Sequence, residues 1–169
     1  VQTTDPERHD LLDTLGKHRN LLRLTARRLT DEQAAQRTTV SELTVGGIIK
    51  HVTATEVRWD DFIECGAAAF APVDDAAAEL QAETFRMGPG ETLAGLLDGY
   101  AAVAARTDAL VVALPSLNAA HPLPEAPWFP AGAAWTARRV LLHLIAETAQ
   151  HAGHADIIRE ALDGRKTMG

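Results

Sequence analysis

Glu147, His151 and His154 fall within one segment, LLHLIAETAQHAGHADIIRE, at spacings of four and three residues. On a helix turning about 100° per residue, these side chains share an arc of roughly 60°. A carboxylate oxygen and an imidazole nitrogen one turn apart can meet at a point, so Glu147 and His151 form a two-ligand clip for a metal ion. His151 also interrupts an apolar stripe, between Thr148 and Ala155, where an unpaired polar group is costly. His51, inside IIKHVTATEVRW, does the same on an earlier segment. His51, Glu147 and His151 together would give two nitrogens and one oxygen to a divalent ion and leave positions open, as catalytic rather than structural sites do. Residues and spacing alone leave a second reading open, in which a buried histidine is satisfied by a neighbouring glutamate and no metal is involved. His9, His18 and His121 carry no comparable pattern.

The elements that must position these residues read as helices. The first opens at Asp5-Pro6, a side-chain cap followed by proline at the first helical position. Leu11, Leu15, His18, Leu22, Ala26 and Leu29 then recur at steps of three and four. Thr30 with Gln33 reads as a capping box for a short turn. A second helix is expected from Thr44 to about Glu64, with Ile48, His51 or Val52, Thr55, Trp59 and Phe62 facing inward. A third is expected from about Glu91 to Leu114, through Leu93, Leu96, Leu97, Tyr100, Val103, Ala104, Thr107, Leu110 and Val111. The last opens near Trp135-Thr136, carries Leu141, Leu144, Thr148, His151, Ala155, Ile158 and Leu162, and stops at Gly164. Two connections are long. Residues 65–90 are Ala-rich and acidic, and residues 115–134 hold five prolines, too many for a continuous helix. No stretch alternates as a strand does. The expectation is an all-α four-helix bundle, residues 1–169 forming a single domain, with long connections between helices 2 and 3 and between helices 3 and 4.

The composition narrows the function. With 169 residues, 46% of them hydrophobic and 23% charged, the chain has the makeup of a globular domain large enough to bury a core. A net charge of −7 argues against general nucleic-acid binding, which needs a basic face. No apolar run reaches membrane-spanning length. The opening VQTTDPERHD lacks the pattern of a secretory leader, and Cys65 is the single cysteine, so a reducing cytoplasm is the expected setting. Cys65 reads as an ordinary small side chain. Neither a serine nucleophile elbow nor a glycine-rich phosphate loop is present.

The segment from Arg138 or Arg139 to Glu160 resembles the last helix of the DinB-like metalloprotein superfamily. So does Thr44-x-x-x-Ile48-x-x-His51-x-x-x-x-Glu56-x-x-Trp59, where that family places its first histidine. Within it, the chain is similar to the branch that contains the mycothiol S-transferases. Many DinB-like proteins have histidine at the position of Glu147, and the mycothiol-dependent maleylpyruvate isomerases are similar to this chain in having glutamate there. The resemblance implies a metal triad of His51, Glu147 and His151. It puts His154, where many relatives have glutamine, in the pocket wall rather than on the metal.

What the resemblance implies about activity is a divalent-metal-dependent S-transferase that activates mycothiol as a thiolate for conjugation to a small electrophile. A metal-held thiol is deprotonated at neutral pH, which suits a site with no protein nucleophile. Zinc is the expected ion on redox inertness, though nickel, iron and manganese accept the same ligands. Trp135, with Trp128 and Phe129, would wall the electrophile site, and Arg138 or Arg139 would meet a polar group of the thiol. The alternatives are a mycothiol-dependent isomerase of a maleyl-type acid and a non-catalytic metal-binding bundle. A homodimer is compatible with the exposed apolar loop.

Overall fold

The computed structural model describes residues 5–70, 79 and 81–167. Its first helix, α1 (Pro6–Thr25), starts where Asp5 accepts a hydrogen bond from the Glu7 amide at 3.0 Å. The short α2 (Asp31–Ala34) carries the Thr30/Gln33 capping box with both of its bonds. Thr44 caps α3 (Val45–Cys65), and Gly66, at φ +67°, turns the chain out of it into a 3-10 turn over Gly66–Ala69. Thr92 caps α4 (Leu93–Ala113), so this helix begins two residues later than the sequence pattern suggests. The reason is local: Glu91 bonds the Gly88 amide and Lys50 instead of opening the helix. Thr136 caps α5 (Ala137–Asp163), which ends at Gly164 in the left-handed conformation.

Contacts at the two ends fix the helix directions. Arg138 pairs with Glu7 at one end of α1 and α5, and Arg159 donates to the Thr25 carbonyl at the other, so these helices run parallel. One core cluster joins Leu22 of α1, Ile48 and Val52 of α3, Tyr100 of α4, and Ala155 and Ile158 of α5. A second joins Leu15 of α1, Trp59 and Phe62 of α3, Val111 of α4, and Val140, Leu141 and Leu144 of α5. Helices α3 and α4 therefore both run opposite to α1 and α5. The chain goes up, down, down and up, and the α3–α4 connection must travel back along the bundle. Residues 71–78 and 80 of that connection lie outside the described residues. Its later part lies against the first turn of α3, where Gly46 and Gly47 leave a notch. A Cβ on Gly47 would stand 1.8 Å from the Phe85 carbonyl oxygen, and one on Gly46 2.3 Å from Met87 Sδ.

Two features depart from the sequence reading. The proline-rich α4–α5 connection contains an antiparallel pair, β1 (Ala120–Pro122) and β2 (Ala134–Thr136), with His121 opposite Trp135. Three-residue strands are too short to leave an alternating pattern. The bundle interior also holds a charged network beside its apolar stripes. Arg19 of α1 pairs with Glu56 of α3 and, at 2.8 Å, with Asp108 of α4. The Thr107 hydroxyl lies 2.6 Å from Glu56 Oε1 and 2.8 Å from Asp60 Oδ2. Glu56 and Asp60 are 1% and 0% exposed, which only such pairing makes tolerable. Among the described residues, no helix is long and apolar enough to cross a membrane.

Candidate metal centre

The antiparallel packing of α3 on α5 brings His51 against the Glu147–His151 face. One ligand atom from each of His51, Glu147 and His151 lies within 4.8 Å of the others. Glu147 Oε2 and His151 Nε2 are 3.5 Å apart, close to the separation of two donors about 2.0–2.1 Å from a shared ion. The His51 and His151 rings meet at 65° with centroids 4.9 Å apart.

The electrostatics suit a cation. Burial, with His151 adding a smaller push, lowers the His51 pKa to about 4, so its imidazole is neutral at physiological pH and offers a lone pair. A hydrogen bond with His151 holds the Glu147 carboxyl below its usual range, and burial opposes this only in part. Glu147 is therefore an anion facing two rings. His151 Nδ1 is buried with no hydrogen-bond partner among the described residues, so the fold leaves that ring's bonding capacity unspent. Two imidazoles and a carboxylate in this arrangement fit a divalent ion, with positions left for an exogenous ligand.

The α3–α4 connection completes the His51 environment. Phe85 stacks on the His51 ring at 3.7 Å and 17°, and Thr84 Oγ1 lies 3.0 Å from His51 Nδ1. Lys50 anchors this stretch through the Arg86 carbonyl at 3.2 Å and through Glu91.

A family model described as mycothiol-S-transferase matches residues 10–164. The chain belongs to this DinB-like family. Comparison with curated proteins gave no match.

Around the triad of this mycothiol-S-transferase family member, the remaining candidates separate. His154 stands one turn beyond His151, ring centroids 5.4 Å apart, with its Nδ1 buried and without a hydrogen-bond partner among the described residues. Trp135 stacks on Trp59 at 4.8 Å, and both rings meet His143 edge-on, at 5.3 and 4.9 Å. These three form a continuous aromatic wall running from the hairpin towards Glu147. The Arg138 guanidinium is engaged by Glu7 and by Asn118 Oδ1 at 2.5 Å, tying α1 to the start of α5. Its neighbour Arg139 lies over the Trp135 ring, 4.2 Å from the centroid. Cys65 is exposed at the end of α3, and His121 bonds the Ile63 carbonyl at 3.2 Å.

His143 escaped the sequence reading. Its Nε2 is 3.9 Å from Glu147 Oε1, too long for a direct hydrogen bond, and burial lowers its pKa. The available signal was its position one turn before Glu147, which makes His143, Glu147 and His151 a single stripe. Thr84 and Phe85 gave no sequence signal at all, because only the crossover path brings them to His51.

Proposed function

We propose that this family member is a divalent-metal-dependent S-transferase that joins mycothiol to small electrophiles. The observation that supports it best is the convergence of His51, Glu147 and His151 within 4.8 Å, in a chain matched along residues 10–164 by the mycothiol-S-transferase model. His51, Glu147 and His151 would hold the ion, and Glu147 would offset part of its charge. When bound, a divalent ion supplies Lewis acidity that favours thiolate over thiol at neutral pH. His143 Nε2, kept neutral by burial, is placed to take a proton near Glu147. Trp135, stacked on the buried Trp59, would exclude water and offer an apolar edge to the electrophile. A carbon–sulfur bond forms at the electrophilic carbon as its leaving group departs with the bonding pair. The reading includes zinc as the ion, on its redox inertness, and a reducing cytoplasm as the setting, on the single cysteine.

A second reading draws on Arg139. Its guanidinium lies over Trp135, a cation beside the aromatic wall that would favour an anionic electrophile. A maleyl-type acid isomerised through reversible thiol addition meets that description.

The test begins with elemental analysis of tag-free protein prepared without chelator, alongside His151→Ala. About one divalent ion per chain, lost in the variant, is expected. Turnover of mycothiol with a chromogenic aryl halide should then follow the metal content. Thiol consumed in proportion to product marks the transferase; product without thiol loss on a maleyl-type acid marks the isomerase. Metal-loaded protein inactive in both assays would leave a metal-binding bundle, and no metal in either protein would sink the triad.

A further inference from the structure

A neutral imidazole presents a lone pair from only one nitrogen, and the hydrogen bond made by the other decides which. At His51 that decision can be traced atom by atom. Thr84 Oγ1 lies 2.6 Å from the carbonyl oxygen of Gln81, which can only accept. The single hydroxyl hydrogen of Thr84 is spent there. Towards His51, 3.0 Å away, Thr84 Oγ1 can therefore only accept, so His51 Nδ1 must be the donor and carry the ring proton. Nε2 is left bare. Thr55 Oγ1, 3.5 Å from Nε2, is a hydroxyl able to donate to that lone pair.

The opposite tautomer has one supporter. Gln81 Nε2 stands 3.5 Å from His51 Nδ1, and donation from it would require Nδ1 bare. The amide orientation is set by Arg58, which donates to Gln81 Oε1 at 3.0 Å. At 3.5 Å the Gln81 contact is at the limit of a hydrogen bond, while the Thr84 contact sits at the usual distance. The Thr84 bond prevails.

We propose that Thr84 is a positioning residue, a hydroxyl delivered by the α3–α4 connection that fixes His51 as the Nδ1–H tautomer and so presents Nε2 to a metal ion. The second half of that statement rests on the metal reading above; the tautomer itself does not. The surroundings hold the arrangement in place. Phe85, next in sequence, lies flat on the ring, and the Gly46–Gly47 notch lets this backbone approach α3. The ring is thus held at its face by Phe85 and at its Nδ1 edge by Thr84. Histidines that ligate metals commonly depend on such an outer partner, and losing it weakens binding by about 10–100-fold.

The test uses the full chain and three proteins: wild type, Thr84→Val and Thr84→Ser. Long-range nitrogen–proton NMR of the metal-free proteins near neutral pH reads the His51 tautomer directly. Wild type and Thr84→Ser should show Nδ1–H, and the isosteric Thr84→Val should lose that preference. Competition titration with zinc and a chromogenic chelator should then show Thr84→Val weakened about 10–100-fold and Thr84→Ser within about threefold of wild type. An Nε2–H tautomer in the wild type overturns the proposal, as does Thr84→Val binding zinc as tightly as the wild type. If wild-type protein binds no zinc, the metal reading and the presentation of Nε2 fail together, while the NMR still decides whether Thr84 sets the ring. Circular dichroism and thermal unfolding of Thr84→Val confirm that a native bundle is being compared.

Discussion

His51 of α3 and His151 of α5 meet edge to face across two helices that run in opposite directions, with ring centroids 4.9 Å apart. On the metal reading proposed above the two rings share a cation, and Glu147, 3.5 Å from His151 Nε2, would supply the charge that holds it. Glu147→Gln keeps the shape and removes that charge. Its zinc affinity should fall at least about 100-fold, more than for loss of an outer partner, measured by chelator competition. Stability should follow the same linkage. Zinc at 100 times its Kd should stabilise wild type by about 2.7 kcal/mol, a gain that chelator abolishes and that His151→Ala never shows. Equal unfolding temperatures with and without zinc would count against the site.

Thr107 has one hydroxyl hydrogen but two buried carboxyl groups within 2.8 Å. Glu56 is ion-paired with Arg19, so the extra proton belongs on Asp60, whose pKa is pushed up to about 7, chiefly by burial. A carboxyl raised in the folded state contributes stability that is complete below its unfolded value near 3.8 and is lost as pH climbs towards 7. That loss amounts to roughly 4 kcal/mol by order of magnitude. Asp60→Asn should flatten the decline and be the more stable protein at pH 8, as read by urea unfolding across about pH 3–8, roughly one unit beyond the window from 3.8 to about 7 at each end. Parallel curves for the two proteins would show that Asp60 does not carry the proton.

How much of this was legible follows the range of the interactions. Asp5, Thr30, Thr44, Thr136 and Gly164 mark their helix ends because each cap is satisfied within three or four residues. Glu147 and His151 are likewise one turn apart, so their pairing is written in the spacing. In the periodicity His51 is visible only as a polar interruption; the motif resemblance joins it to the other two, and its convergence with them depends on α3 running opposite to α5. Nothing in the local spacing marks Asp60 and Glu56 as buried and paired, since their partners Thr107 and Arg19 come from other helices. Thr84 and Phe85 were hidden more deeply, because a connection has no period from which to read its inward face.

Glu56 falls within the segment that resembles the DinB-like second helix, yet its place in the structure is opposite Arg19, not in the triad. Replacing it with glutamine leaves the buried guanidinium with Asp108 alone. The expected cost is about 3–5 kcal/mol, as for other broken buried pairs. Zinc affinity of the folded protein should stay within about threefold of wild type, far from the 10–100-fold effect of losing a metal ligand's partner. Denaturant unfolding and chelator competition on the same preparation separate the two effects; a large loss of affinity would tie Glu56 to the centre itself.

Gly47 offers a way to disturb the centre without touching any side chain in it. The Cβ of Gly47→Ala would sit 1.8 Å from the Phe85 carbonyl oxygen, an overlap that backbone must move to relieve. Overpacking of this kind costs about 1–3 kcal/mol. The segment forced away carries Thr84 and Phe85, so His51 should lose both its Nδ1 acceptor and its stacking partner. Zinc affinity should therefore drop about 10–100-fold, as for Thr84→Val, although position 47 is a full turn from the ring. Gly99→Ala is the control, since no atom lies within 4 Å of its would-be Cβ and α4 should tolerate the methyl. If Gly47→Ala binds zinc as the wild type does, the connection can withdraw without releasing His51, and the ring must be held by α3 and α5 alone.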